Sequence, residues 1–376
     1  MRDLDGLLAD SLKSVAHDYR PTDLYGAQSE FLLRRRRRRT YRLSAAVALA
    51  GVGAALVIVQ TQPFAEDEAP VAQGREMVVV ASIDVGNEPS GVAAGGGSLW
   101  TANSGDGTVS RVDTGTSEVE SYVVEGEPDD IAVAADLGSK KGDVWVANPA
   151  LGGIQRLDPE SGTAYNTFTG IEVFGDGHID VAADETGIVW AVAGGTGTLI
   201  KIDQHGVEGT VFAPVDDNSS GEWSDVAVGE GLVWLLDERT SSVSRYDPAT
   251  GETIQVATQK LNDIDDDLAV GEGYVWVANG DNGTVLRIDP ATGHVSDPLI
   301  VGGDYAAVTT GEGAVWVLVV GDGGVGSLLE IDPDTVRILD RLTVVGDPAD
   351  VVVADGSVWV TNNDSDTLTR IDLVEH

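Results

Sequence analysis

Asp267-Leu-Ala-Val-Gly-Glu-Gly-Tyr-Val-Trp-Val-Ala-Asn279 is followed, after a short polar loop, by Thr284-Val-Leu-Arg-Ile-Asp289, Pro290-Ala-Thr-Gly293 and Leu299-Ile-Val-Gly302. This stretch decides the fold. An apolar run meets a Gly-x-Gly turn, then a Val-Trp run ending in Asn, then an alternating run closed by an Asp-Pro-x-Thr-Gly turn, then a last apolar run. Four short alternating segments separated by turn formers read as four antiparallel strands.

The same grammar recurs across the chain. An aliphatic residue followed by tryptophan appears at Leu99-Trp100, Val144-Trp145, Val189-Trp190, Val233-Trp234, Val275-Trp276, Val315-Trp316 and Val358-Trp359, with tryptophan spacings of 45, 45, 44, 42, 40 and 43. Trp223 alone stands outside the pattern. Four strands per repeat of this length, seven times over, predict an all-β, seven-bladed β-propeller. The last repeat stops at Ile371-Asp372 and a four-residue tail, one strand short. The orphan run Met77-Val-Val-Val-Ala-Ser-Ile-Asp-Val-Gly86 matches the last strand of the sixth repeat, Leu339-Asp-Arg-Leu-Thr-Val-Val-Gly346. An N-terminal strand is therefore expected to complete the last blade and close the ring, leaving few open edges.

Composition supports a large disulfide-free β-fold: 376 residues, 42% hydrophobic, 47 glycines and no cysteine. Without cysteine, thiol nucleophiles, zinc-thiolate sites and structural disulfides are excluded. The net charge of -39 is uneven: residues 1–60 hold ten of the 23 basic and six of the 62 acidic side chains, leaving 13 and 56 for residues 61–376. So acidic a surface repels phosphate backbones, and nucleic acid is not expected as a partner. Many acids with only five lysines suit a salty medium.

Arg34 to Arg39 form an unbroken basic run ahead of the uncharged stretch Leu43 to Val59. With its edges, that stretch approaches the ~20 residues a helix needs to cross a bilayer. The expected organisation is a cytoplasmic tail (1–40), a single transmembrane signal anchor (41–60), a solvated linker (61–75) and an extracellular propeller (76–376), oriented by the basic run. The alternative is a cleaved signal peptide, against which stand the long preceding region and Pro63 at the nearest cleavage position. Leu4, Leu7, Leu8, Leu12 and Val15 recur at helical spacing, so residues 1–33 could dock a cytosolic partner.

Trp145-Val-Ala-Asn148, Trp276-Val-Ala-Asn279 and Trp359-Val-Thr-Asn362, each followed by a Val-x-Arg-Ile-Asp-like strand, resemble the YVTN-type propeller repeat of bacterial exported and surface-layer proteins, itself similar to repeats of streptogramin lyases. The resemblance spans residues 76 to 376. It implies the fold; the family hosts binders, structural proteins and a few enzymes.

Propeller topology puts the entry to each innermost strand at the channel mouth. Asp130, Asp180, Asp225, Asp267 and Asp350 open that strand in five blades; Gly91 and Ala307 do so in the other two. Asn103, Asn148, Asn279, Asn362 and Asp237 end the second strand on the same side. One reading is an oxygen-rich ring for Ca2+, Mg2+ or a cationic ligand. The other is that each Asp caps backbone N–H groups of its own turn or of the next blade. The loops after Asn103, Asn279 and Asn362 superficially resemble calcium loops but lack the full pattern, and read as hairpin turns. His178, in Gly175-Asp-Gly-His-Ile-Asp180, is the one histidine expected near the mouth and the weak candidate for catalysis. The resemblance implies that a lyase would place a His and a Glu-x-His pair there with magnesium; no Glu-x-His occurs in the chain. The strand-three basic residues Arg111, Arg156, Lys201, Arg245, Arg287 and Arg370, replaced by Glu330 in blade six, are expected to form inter-strand ion pairs. Three functions stand: a membrane-anchored module binding an extracellular protein, glycan or cationic ligand; a metal-dependent lyase or hydrolase; a structural cell-surface component.

Overall fold

The computed structural model describes residues 75–134, 142–169, 171, 178–184, 186–194, 198–203, 206–208, 223–237, 240–257, 266–280, 282–303, 305–321 and 323–374. The expected tail and anchor, and the linker up to residue 74, lie outside the described residues. Among those described, no helix is long and apolar enough to cross a membrane.

The described residues form seven antiparallel sheets of four strands each. The innermost strands are Pro89–Gly95, Asp130–Val133, Ile179–Ala183, Trp223–Gly229, Asp266–Gly271, Tyr305–Gly311 and Pro348–Ala354. Each packs beside its counterpart in the next blade, and the seventh beside the first, so the sheets close into a seven-bladed propeller. In blade seven the strand order is Glu76–Asp84, Thr367–Val374, Ser357–Asn362, Pro348–Ala354. The N-terminal strand thus completes the last blade as expected, in a register running from Glu76 opposite Val374 to Asp84 opposite Thr367.

One cross-strand pair repeats in every blade. Each landmark tryptophan sits directly opposite the strand-three position: Trp100 and Arg111, Trp145 and Arg156, Trp190 and Lys201, Trp234 and Arg245, Trp276 and Arg287, Trp316 and Glu330, Trp359 and Arg370. All seven tryptophans are at most 1% exposed. They fill the space between blades: Trp276 packs with Val308, Val315 and Val317 of the following blade. Trp223, the tryptophan outside the repeat, opens the inner strand of blade four and packs with Trp190 and Leu199 of blade three.

The Gly-Glu-Gly turns divide their labour. The second and third residues form the hairpin with positive φ at both positions, Glu272 at 52° and Gly273 at 80°, the geometry that matches strand twist. The first glycine ends the inner strand where the next blade presses close. A Cβ on Gly229 would stand 2.4 Å from Val270 Cγ1, and one on Gly271 2.1 Å from Thr310 Oγ1. These turns and the Asp-Pro-x-Thr-Gly turns share one face, the turn face. The entries to the inner strands share the other, the mouth face. The described chain begins on the turn face, where Glu76 pairs with Val374.

Candidate functional site

An inner strand is the edge of its sheet, so some of its backbone N–H groups find no partner within its own blade. The mouth-face aspartates supply those partners from the preceding blade. Asp130 Oδ2 accepts from Val181 N at 2.8 Å, Asp180 Oδ2 from Val226 N at 2.8 Å, Asp267 Oδ2 from Val308 N at 2.7 Å, and Asp350 Oδ2 from Val92 N at 2.8 Å. Each bond joins one blade to the next, and the last spans the ring closure. Gly91 and Ala307 cannot supply it, and behind Ala307 Asp350 Oδ1 accepts from its own neighbour Val351 N at 2.7 Å. Asp267 Oδ1 likewise takes Leu268 N at 2.8 Å. With that N–H taken, Asp225 Oδ2 meets no hydrogen-bond donor among the described residues.

The carboxyls also reach one another around the channel: Asp130 meets Asp180, Asp180 meets Asp225, and Asp225 meets Asp267. Burial pushes Asp130, Asp180, Asp225 and Asp350 well above the usual carboxylate range, and neighbouring carboxylates push them further. Asp267 is raised by burial to about 6, held back by the Val308 and Leu268 N–H groups. Adjacent buried carboxylates cannot all ionise, so the arc holds protons where isolated aspartates would have lost them.

His178 lies at the mouth as expected, a quarter exposed, with Nδ1 3.3 Å from Asp129 Oδ2. When protonated, it favours ionisation of Asp180. Sequence reading singled out His178 but not Asp129, which carries no repeat signature beside Asp130. Among the described residues no three His, Asp or Glu side chains come together in a set that could hold a metal ion.

The strand-ending asparagines are structural. Asn103 and Asn362 are fully buried. Asn103 Nδ2 donates to Ser110 Oγ at 2.9 Å, and Asn362 Nδ2 to Thr369 Oγ1 at 2.9 Å, tying strand two to strand three beneath the loop. The calcium-like loop after Asn103 is a turn in which Asp106 Oδ1 accepts from Thr108 N. The strand-three basic residues depart in part from expectation. Arg111 pairs with Glu120 of the neighbouring strand and Arg156 with Asp143, whereas Arg370 pairs with Asp372 of its own strand and also donates to the Thr114 carbonyl of the next blade at 3.2 Å. Arg245 and Arg287 instead donate to carbonyls of the next blade's turn, at Pro290 (2.9 Å), and at Pro333 (2.7 Å) and Asp334 (2.8 Å).

The propeller shares its fold with solved structures. Virginiamycin B lyase from Staphylococcus aureus superposes with a TM-score of 0.65 at 13% identity, over 80% of this chain and all of that one. BamB from Moraxella catarrhalis gives 0.52 at 14%, over 80% and 99%. Kuenenia stuttgartiensis hydrazine synthase gives 0.60 at 16%, over 77% and 96%. This is a seven-bladed propeller of streptogramin-lyase-like shape. No family model matches the chain, and no curated protein matches its sequence. At such identities the likeness is one of fold.

Proposed function

We propose that this chain is a membrane-anchored, extracytoplasmic binding or scaffold propeller that offers its mouth face to a protein, glycan or cationic ligand. The observation that carries this reading is the use of the recurrent aspartates. They are spent on backbone N–H groups of neighbouring blades, so the most regular polar feature of the mouth holds the ring together. The chain has no cysteine, so single cysteines report cleanly. A cysteine-directed cross-linker on Ser365→Cys, at the mouth, is expected to yield a discrete adduct on intact cells. The same reagent on Glu160→Cys, on the turn face, is expected to yield none. Equal adducts from both faces, or none from the mouth, would count against the reading.

The His178–Asp129 pair favours a second reading, a lyase. A carboxylate holding one imidazole nitrogen is how a general base is oriented. Incubation with magnesium and quinupristin, the compound present in a solved structure of inactive virginiamycin B lyase, tests it: unchanged quinupristin supports the binder, and a product whose formation is lost in His178→Ala supports the lyase.

A further inference from the structure

Blade six breaks the tryptophan–cation pattern, and the break is repaired from the other end of the propeller. In most blades a basic side chain of strand three lies over an aromatic ring of its own blade. Arg111 stands 5.8 Å from the Trp100 centroid, Arg156 5.1 Å from Trp145, Arg370 5.3 Å from Trp359, and Arg287 4.3 Å from Tyr274. In blade six that position is Glu330, 1% exposed, directly opposite Trp316. The cation over Trp316 is Arg75, 5.7 Å from the ring centroid and one residue ahead of the closing strand. Its Nη2 and Nε donate to Glu330 Oε1 at 2.8 and 3.2 Å, and its Nη1 to the Glu312 carbonyl at 2.7 Å.

The inversion falls at the one blade junction where a turn is absent. Arg245 and Arg287 reach forward to the strand three–four turn of the next blade. Blade seven has no such turn, because its fourth strand comes from the N-terminal end. A strand-three arginine in blade six would have no turn carbonyl to meet. Glutamate there, and arginine at the start of the incoming strand, reverse donor and acceptor across the same gap.

We propose that Arg75 is the closure latch of the ring. It marks blade six as the neighbour of the closing strand and pins the point where the N-terminal segment joins the propeller. Load or displacement on residues before 75 then meets this latch before it reaches the ladder of Glu76–Asp84. Glu330 Oε2 is buried and has no partner among the described residues, so losing Arg75 leaves a buried carboxylate uncompensated, a costly state.

A charge-reversal cycle on the full-length chain, read by thermal unfolding and by amide exchange of the closing strand, tests this. Arg75→Ala is expected to lower Tm by several degrees and to speed exchange of residues 76–84 roughly a hundredfold, with blades two to four unaffected. Glu330→Arg alone sets two cations over Trp316 and is also expected to lower Tm. The double variant Arg75→Glu/Glu330→Arg restores the pair with the polarity of other blades, and is expected to recover most of the lost Tm and protection. Additive losses in the double variant, or an Arg75→Ala protein with unchanged exchange in the closing strand, would overturn the latch. If Glu330→Arg does not fold, Glu330→Gln supplies the second arm. The amide removes the buried charge, so Arg75→Ala should cost less in that background than in the wild type; an equal cost refutes the proposal.

Discussion

Asp225 has a carboxyl on either side of it and an oxygen that no N–H group among the described residues reaches. Such a group keeps its proton past the pH at which a free aspartate loses it. The consequence for stability has a definite sign. A carboxyl whose native pKa is raised adds stability fully below its unfolded value near ~4, and that contribution fades as pH rises through the native value. For Asp267 that value is about 6, and Asp130, Asp180, Asp225 and Asp350 are raised as well. The turn aspartates act in the opposite sense. Hydrogen bonds from the turn threonines hold Asp113, Asp289 and Asp332 below the usual range, so their contribution is lost as pH falls below ~4. Tm is therefore expected to fall as pH rises above ~4 and through about 6, the Asp267 value, in salt high enough to screen general repulsion. Asp225→Asn is expected to flatten that fall. A variant as steep as the wild type would show that the arc is not its source.

The strand-three arginines differ in what they join, and their truncations should differ too. Arg287 lies over Tyr274 and donates to two carbonyls of blade six, so Arg287→Ala is expected to cost about 1–2 kcal/mol in urea unfolding. Arg111 pairs with a Glu120 side chain that is 60% exposed, and Arg111→Ala should cost under ~1 kcal/mol. Equal costs would mean that stacking alone matters. The four-strand order within a blade was legible in the sequence, because strand period and turn signals mark each hairpin. Contacts between blades were not. Repetition shows that an aspartate recurs, but not that Asp180 serves Val226 of the next blade rather than its own turn. Asp129 was hidden beside the more regular Asp130. Arg75 did leave a signal: blade six is the blade without a strand-three cation, and a lone arginine precedes the orphan strand.

At the scale of the whole molecule, closure by a non-covalent strand makes the two ends of the propeller interdependent, and the ring of inter-blade bonds runs across that seam through Asp350 and Val92. A disulfide-free propeller with so acidic a chain is held by tryptophans wedged between blades, by arginines bridging them, and by carboxyls that tie inner strands while sharing protons. The seven-fold plan, the closing strand and the mouth position of the aspartates were readable from the repeat. What those aspartates bind was not, because capping and cation binding ask for the same residue at the same place. The most direct test is the melting temperature of the full-length chain at fixed ionic strength and pH, with millimolar calcium, with magnesium and with chelator. Superimposable curves are expected, since ring carboxyls engaged by backbone N–H groups and by one another offer no specific site for either metal ion. A rise of several degrees with either cation, abolished by Asp267→Asn, would contradict it, because a ligand that binds the folded state must stabilise it.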